Sequence, residues 1–507
     1  MHFPLLSTLI WLPIIGAVVV LFFNESRQVK LVKWIALIIT LSSLALCVPL
    51  WATFDTTTYQ LQFQEFLPWI TAYDIHYALG VDGIAMPMVI LSTMTTVVVV
   101  LASWHSIKHN VAQYFATFLL MQGMMVGAFS ATDSILFYVF WEGMLIPIYL
   151  NIGIWGGQNR VYASVKFFIY SFGGSALMLV AILYLRLHAH SFMITDFYRL
   201  PMSHAVQVLI FLAFFFAFGV KVPMWPLHTW LPDAHTAAPP GGSVVLAALM
   251  LKLGIYGFLR FILPVTPNVG MGIVWLMIIL ALIAVVYIGL VAIVQQDMKR
   301  LIAYSSIAHM GFAILGIFMI YVIMARSTDP QTAYLSLEGA MVQMIAHAFS
   351  TGALFIGVGI LYNRLHTHLI KDYGGLAHRL PFFATLMMVF ALSNVGLPGT
   401  AGFVGEFMII LSAFAANFWI ALTAATTMII SVAYTLWMYQ RVFFGPVAHA
   451  KIASIEPLHF AETIALLVLA ILVIALGVYP LPLLQVLHTT TGHLLQLSLP
   501  VNLSMGG

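Results

Sequence analysis

The sequence predicts an all-α polytopic membrane protein with about 14 transmembrane helices. Three observations carry this expectation. Of 507 residues, 62% are hydrophobic and only 7% charged, against about 25% charged in soluble domains. Apolar stretches of crossing length, roughly 20 residues, recur along the whole chain. The cations gather in alternate connections between those stretches.

The first stretch, MHFPLLSTLIWLPIIGAVVVLFF, lacks the basic start and small-residue cleavage pattern of a signal peptide and reads as a retained span. Spans are expected at 3–23, 31–53, 82–104, 112–130, 133–154, 162–186, 205–226, 241–262, 271–295, 300–323, 335–361, 382–412, 416–440 and 460–480. The fourth and fifth are separated only by Ala131, Thr132 and Asp133. The longest connection, about 54–81, is too short and apolar for a soluble domain.

Orientation follows from the cations. Odd-numbered connections and their flanks hold Arg27, Lys30, Lys33, Lys108, Arg160, Lys299, Arg300, Arg364, Lys371, Arg379, Arg441 and Lys451. Even-numbered ones hold Arg186, Arg199, Arg260 and Arg326. Twelve against four places the odd connections in the cytoplasm and both termini outside. Mean hydropathy is +1.04.

Composition also excludes functions. A lone cysteine, Cys47, rules out an intramolecular disulfide and any Cys-ligated zinc or iron–sulfur cluster. No basic run exceeds Lys299-Arg300, which argues against nucleic acid as a partner. No Gly-rich phosphate loop follows a strand.

Ionisable groups inside spans are few: Glu142, Lys166, Lys221, Lys252, His309, His347 and Glu406. At such depth they usually face a protein interior or a hydrated cavity and mark ion or proton paths. Glu142 and Lys252 sit too deep to snorkel. Lys166 lies four residues into its span, where a snorkelling stem competes with a functional role. His309 and His347 read either as relay members or as core histidines bonded to a neighbouring helix. His228 and His235 follow a helix break and read first as solvated loop histidines. A lysine at its reference pKa near 10.4 holds its proton at neutral pH. Desolvation favours the neutral amine and a nearby carboxylate the charged one, so a buried Lys–Glu pair is a switchable proton store. Glu142 is a candidate partner for Lys221.

Two spans carry breaks. Lys221 lies with VPMWP in span seven and Glu406 with GLPGTAG in span twelve. With spans 4–8 and 9–13 taken as sets of five, each broken helix is fourth in its set. An odd number of spans per set inverts the second relative to the first, and paired breaks of this kind point to an ion site. The chain therefore divides into an N-terminal three-helix segment (1–111), two inverted five-helix repeats (112–262 and 271–445) and a C-terminal helix with tail (446–507).

The segments FWEGMLIPIYL, VKFFIYSFGGSALML, KVPMWPLHTWLPDAHTAAP, GSVVLAALMLKLGIYGFLRF, QQDMKRLIAYSSIAHMGF, MVQMIAHAFSTGALFIGVGILYNRLHT and LPGTAGFVGEFMII resemble the antiporter-like subunits of proton-pumping NADH:quinone oxidoreductase, respiratory complex I. The glutamate of GFVGEF and the short C-terminal part resemble the M type rather than the L type. The resemblance implies that Glu142 and Lys221 form the charged pair of an input half-channel. It makes Lys252 the central lysine, His309 and His347 connecting groups, and Glu406 the terminal residue before a periplasmic exit; Lys166, His228 and His235 would be supporting. It implies no cofactor or metal in this chain, with NADH and quinone bound by other subunits. The implied partners are L-type and N-type antiporter-like subunits, the lipid bilayer and protons, in a bacterial cytoplasmic membrane. One departure is HTAAPPGGS, where the family often reads HTEAPTAGS.

Two other readings compete. A multisubunit cation/proton antiporter component would share these motifs without a redox partner. A haem protein would need two histidines at facing depths, and only His309 and His347 lie clearly within spans.

Overall fold

A computed structural model describes residues 3–23, 25–198, 200–326, 330–447 and 450–499. Arg199, the Arg27 side chain, and the first and last residues of the chain, all used in the sequence reading, lie outside them.

The order begins with α1 (Leu5–Leu21) and α2 (Glu25–Ala52), followed by strands β1 (Gln62–Ile70) and β2 (Ile75–Val81). Then come α3 (Ala85–Ala102), α4 (Val111–Ser130), α5 (Ser134–Trp155), α6 (Arg160–Ala189), α7 (His204–Lys221), α8 (Trp230–Ala237) and α9 (Pro240–Val265). The second half holds α10 (Met271–Ile293), α11 (Met298–Arg326), α12 (Pro330–Leu365), α13 (Pro381–Asn394), α14 (Ala401–Ala416) and α15 (Phe418–Phe443). The chain closes with α16 (Phe460–Val478) and α17 (Leu481–Ser498). Twelve of these helices are long and apolar enough to cross a membrane, and α1, α13 and α14 are shorter apolar helices.

Every expected span falls on a helix, and both expected breaks are present. Span seven stops as a helix at Lys221, short of its expected end at 226, and α8 follows beyond it; span twelve divides into α13 and α14. The three-residue connection between α4 and α5 is made sharp by Asp133. Its Oδ1 accepts the amides of Ile135 at 2.8 Å and Leu136 at 3.1 Å, and its Oδ2 accepts the His76 amide at 3.0 Å. A carboxylate in this position satisfies the free N–H groups of a helix start that lipid would leave unpaired.

The bundle is layered by burial. The most apolar stretches of α9 and α12 are wholly covered, whereas α2, α6, α15 and α16 present most of theirs outward. Close approach at the centre needs small residues. A Cβ on Gly405 of α14 would lie 2.6 Å from the Gln343 amide of α12, and one on Gly316 of α11 would lie 2.9 Å from the Ser336 carbonyl. The innermost helices are thus held at backbone contact.

Two elements depart from the sequence expectation. The 54–81 connection contains an antiparallel hairpin, pairing Gln62 with Val81 through Ile70 with Ile75, so the chain is not wholly α-helical. Its turn places Asp74 at φ 60°, a conformation aspartate tolerates better than most residues. The C-terminal tail is also helical. Its LPLLQVLHTTTGHLLQLS is too polar to register as a span, yet it buries Leu483, Val486, Leu487, Leu494 and Leu495 on one face. Thr490 Oγ1 accepts the Gly83 amide at 3.0 Å, and a Cβ on Gly83 would stand 2.1 Å from the Val486 carbonyl. Gly83→Ala is therefore expected to displace α17 and lower the thermal midpoint of the detergent-solubilised protein by several degrees, consistent with overpacking costs of about 1–3 kcal/mol. An unchanged melting curve would show that α17 is not held through this contact.

Candidate functional site: a buried line of ionisable side chains

α7 ends at Lys221 because Pro223 and Pro226 cannot continue the helical ladder. A cation at that terminus faces the unpaired carbonyl end of the helix dipole. Lys221 is 1% exposed, and its Nζ has no hydrogen-bond partner. It lies 5.3 Å from the Trp141 ring centroid and 5.5 Å from that of Phe167, within cation–π range. Glu142 is the carboxylate whose field reaches it. Glu142 sits just before Met144, where α5 is interrupted. Pro147 explains the interruption: it supplies no amide and crowds the carbonyl of Gly143, four residues earlier. Ser175 of α6 lies against the carboxylate, whose Oε1 is unpartnered.

α9 links this pair to the rest of the line. It contains two π-helical turns, Leu246–Met250 and Phe258–Ile262, flanking the α-helical Leu251–Gly257 that carries Lys252. A Cβ on Gly254 would lie 2.9 Å from both Lys221 Cβ and the Phe218 carbonyl, so α7 and α9 approach at backbone distance here. Lys252 is fully buried. Its Nζ donates to the Ala247 carbonyl at 2.5 Å and lies 2.6 Å from His347 Nδ1. The His347 and His309 rings are 5.7 Å apart between centroids. His309 Nδ1 lies 2.9 Å from Glu406 Oε1, and Gln343 Nε2 donates to the same oxygen at 3.2 Å. Lys252, His347, His309 and Glu406 thus form one buried file across α9, α12, α11 and α14. Several of its atoms lack protein partners: His347 Nε2, His309 Nε2, Gln343 Oε1 and Glu406 Oε2.

The second break positions the end of that file. Between α13 and α14, Gly396 has φ +73° and Gly399 φ +87°. A Cβ on Gly396 would also come within 2.9 Å of Glu406 Oε2. Only glycine supplies both the backbone angle and the space.

The supporting residues require corrections. His235, expected to be a solvated loop histidine, is fully buried in α8, stacked on Phe355 at 4.4 Å with neither ring nitrogen partnered. The chain after the break re-enters the bundle as a helix, which the polar LPDAH sequence did not signal. His228 is half-buried in the turn before α8, and its Nδ1 is unpartnered. Lys166 does not stand alone at the interface: its Nζ meets Asp233 Oδ2 at 2.7 Å, and Arg300 meets Asp233 Oδ1 at 3.2 Å.

Two cations were misplaced by the loop assignment. Lys299 is 2% exposed at the start of α11 and donates to the Ala238 carbonyl at 2.7 Å. It lines a cavity of about 150 Å³ with Tyr362 and His368. Burial, with the charge of Lys299, pushes His368 down to about 3. Arg260 lies within α9 and forms an ion pair with buried Asp82. Both cations lie near a span end, where hydropathy cannot separate an exposed flank from a buried one.

In the departing HTAAPPGGS segment, Pro240 occupies the first turn of α9, where a missing amide is harmless. A Cβ on Gly242 would stand 2.4 Å from Asn151 Oδ1, and one on Gly241 would stand 2.7 Å from the Tyr114 hydroxyl. The altered sequence fits tightly and displaces none of the buried ionisable groups.

Two broken helices flanking a buried file of lysine, histidine and glutamate define an antiporter-like membrane protein. Residues 131–431 match the family described as NADH:quinone oxidoreductase/Mrp antiporter, TM. NADH-quinone oxidoreductase subunit M of Rhodobacter capsulatus is 42% identical, covering 97% of this chain and 96% of its own. A chain of respiratory complex I from Thermus thermophilus with bound NADH superposes with a TM-score of 0.86 at 29% identity, over 97% of this chain and 99% of that one. A chain of the Mrp complex from Dietzia sp. DQ12-45-1b shares the fold at TM-score 0.81 and 20% identity, over 96% of this chain and 52% of its own. The chain belongs to the NADH-quinone oxidoreductase subunit M family.

Gly396→Ala is expected to push Glu406 away from His309 and impose a left-handed backbone cost of about 1–2 kcal/mol. Turnover of the assembled complex should fall about tenfold with the protein still present in the membrane. Parental turnover would show that the Glu406 position is not set by the break.

Proposed function

We propose that this chain is a proton-translocating membrane-arm subunit of NADH:quinone oxidoreductase, carrying protons from the cytoplasmic to the periplasmic side while quinone reduction takes place in other subunits. The observation that supports this most directly is the buried file from Lys252 through His347 and His309 to Glu406, with contacts of 2.6 Å and 2.9 Å at its ends. Each member is a group that can bind and release a proton. Their unpartnered atoms are where a hydrogen-bonded proton path would be completed.

In this reading Glu142 and Lys221 form the input pair. The Lys221 ammonium has no hydrogen-bonded carboxylate, so Glu142 acts on it only through its field, and drawing Glu142 away weakens the lysine's hold on its proton. Lys252 receives it, the two histidines hand it across the bundle centre, and Glu406 delivers it to the exit. Lys166 and Asp233, with His228 and His235, shape the entry around α8. The two sets, α4–α9 and α10–α15, act as inverted repeats whose breaks place Lys221 and Glu406 at equivalent depths.

The chain works in a bacterial cytoplasmic membrane with both termini on the periplasmic side and with L-type and N-type subunits as neighbours. It needs no cofactor of its own, and NADH and quinone are bound elsewhere in the complex.

The test is proton pumping and NADH oxidation in inverted membrane vesicles. Glu142→Gln, Lys221→Ala and Lys252→Met are each expected to lower both rates together by at least fivefold in the assembled complex. If all three variants pump as the parent does, the buried groups are structural. Sodium-dependent transport in vesicles without NADH would instead favour a cation/proton antiporter.

A further inference from the structure

Lys221 is a buried cation that no hydrogen bond holds, and what surrounds its Nζ is aromatic. The charged groups around it are engaged elsewhere or act at a distance. Lys166 of α6 is drawn to Asp233. Lys252 of α9 turns to the Ala247 carbonyl and His347. Glu142 of α5 reaches Lys221 through its field alone. Two ring centroids stand within cation–π range of Nζ, that of Trp141 at 5.3 Å and that of Phe167 at 5.5 Å.

Both rings are fixed in place. Trp141 is fully buried, with Phe137 one helical turn earlier at 5.6 Å and Phe218 of α7 set edge-on at 5.5 Å between centroids. Phe167 of α6, also fully buried, packs on Trp230 of α8 at 5.2 Å. The Trp230 Nε1 donates to the Val220 carbonyl at 2.9 Å, which ties the support of Phe167 to the residue before Lys221.

Trp141 is a costly residue for packing alone. Its indole N–H is buried and, among the described residues, has no acceptor. An unpaired buried donor carries a penalty that phenylalanine or leucine would avoid. What tryptophan offers over them is the ring face with the strongest attraction for a cation. That attraction acts on an ammonium and vanishes for an amine.

We propose that Trp141 is a positioning residue for proton transfer: with Phe167 it forms an aromatic seat that grips the Lys221 side chain while it carries its proton and lets go of the neutral amine. The step moves one proton. An N–H bond of the ammonium breaks, the electron pair stays on Nζ, and the proton passes to the next group of the relay. Once the charge has left, the rings exert no electrostatic hold. Trp141 and Glu142 are consecutive on α5, just before its interruption at Met144. A shift of that segment therefore moves the seat and the carboxylate together, and retention of the loaded lysine does not depend on Glu142 alone.

This inference rests on Lys221 being a relay lysine, so the experiment separates the two ideas. Position 141 would carry mono-, di- and trifluorotryptophan, placed there alone by nonsense suppression, which weaken the ring face and nearly keep its shape. Trp141→Phe, Trp141→Leu and Lys221→Ala complete the set. NADH-driven pumping would be followed against pH in inverted membrane vesicles holding the intact complex, with rates normalised to assembled complex. The expected result is that the alkaline limb of the turnover profile moves to lower pH with each added fluorine, by about one unit in all, or about tenfold in proton affinity. Trp141→Leu should move it at least as far, and Trp141→Phe, which keeps a ring, less far than leucine. A limb that stays in place across the fluorinated series overturns the seat whatever leucine does to turnover, because shape is kept while the face is weakened. If Lys221→Ala loses pumping and that series is flat, the relay stands without the seat. If Lys221→Ala pumps at the parental rate, the relay reading fails first and the seat fails with it.

Discussion

The contact between Lys252 and His347 is the constraint around which the bundle is arranged. It joins α9 to α12, the two helices whose apolar stretches are wholly covered, and it does so with two ionisable groups and no carboxylate partner at the contact. An ammonium with no counter-charge is costly in so apolar an interior. The bundle meets that cost with backbone. A π-helical turn immediately before Lys252 places the Ala247 carbonyl where the ammonium can donate to it. Such turns inside α-helices leave carbonyls with altered partners and recur at functional positions. The neighbouring glycines, Gly254 towards Lys221 and Gly405 towards Gln343, then let α7 and α14 come close enough to continue the polar line on either side.

The two breaks serve this line in different ways. At the first, Lys221 closes α7 among aromatic rings, with a carboxylate on α5 whose own helix is interrupted by Pro147. At the second, glycines with positive φ fold the chain back so that Glu406 meets His309. One break thus presents a cation without a hydrogen-bond partner, and the other a carboxylate oxygen that accepts from Gln343 and lies within hydrogen-bond distance of His309 Nδ1.

Much of this was legible in the chain itself, for identifiable reasons. Helix positions follow from hydropathy because lipid leaves the backbone no alternative. The breaks were visible because proline and glycine act locally. Glu142, Lys221, Lys252 and Glu406 stood out because a charge among apolar residues is conspicuous in one dimension. The errors share a cause as well. His235, Lys299 and Arg260 lie near span ends, where exposure depends on which helix covers them. The hairpin of β1 and β2 and the docked helix α17 are stabilised by contacts with distant residues, such as Thr490 with Gly83.

The sequence by itself determined the class of protein, the spans, the two breaks and the short roll of buried ionisable groups, because each depends on local chemistry and on the cost of burying charge. Only the tertiary structure decided how those groups are joined: Lys252 to His347, His309 to Glu406, Lys166 to Asp233, and Arg260 to Asp82. Those pairings are separated by 67 to 178 residues in the chain. They are fixed by how whole helices pack, and no local pattern encodes which side chain will stand opposite another.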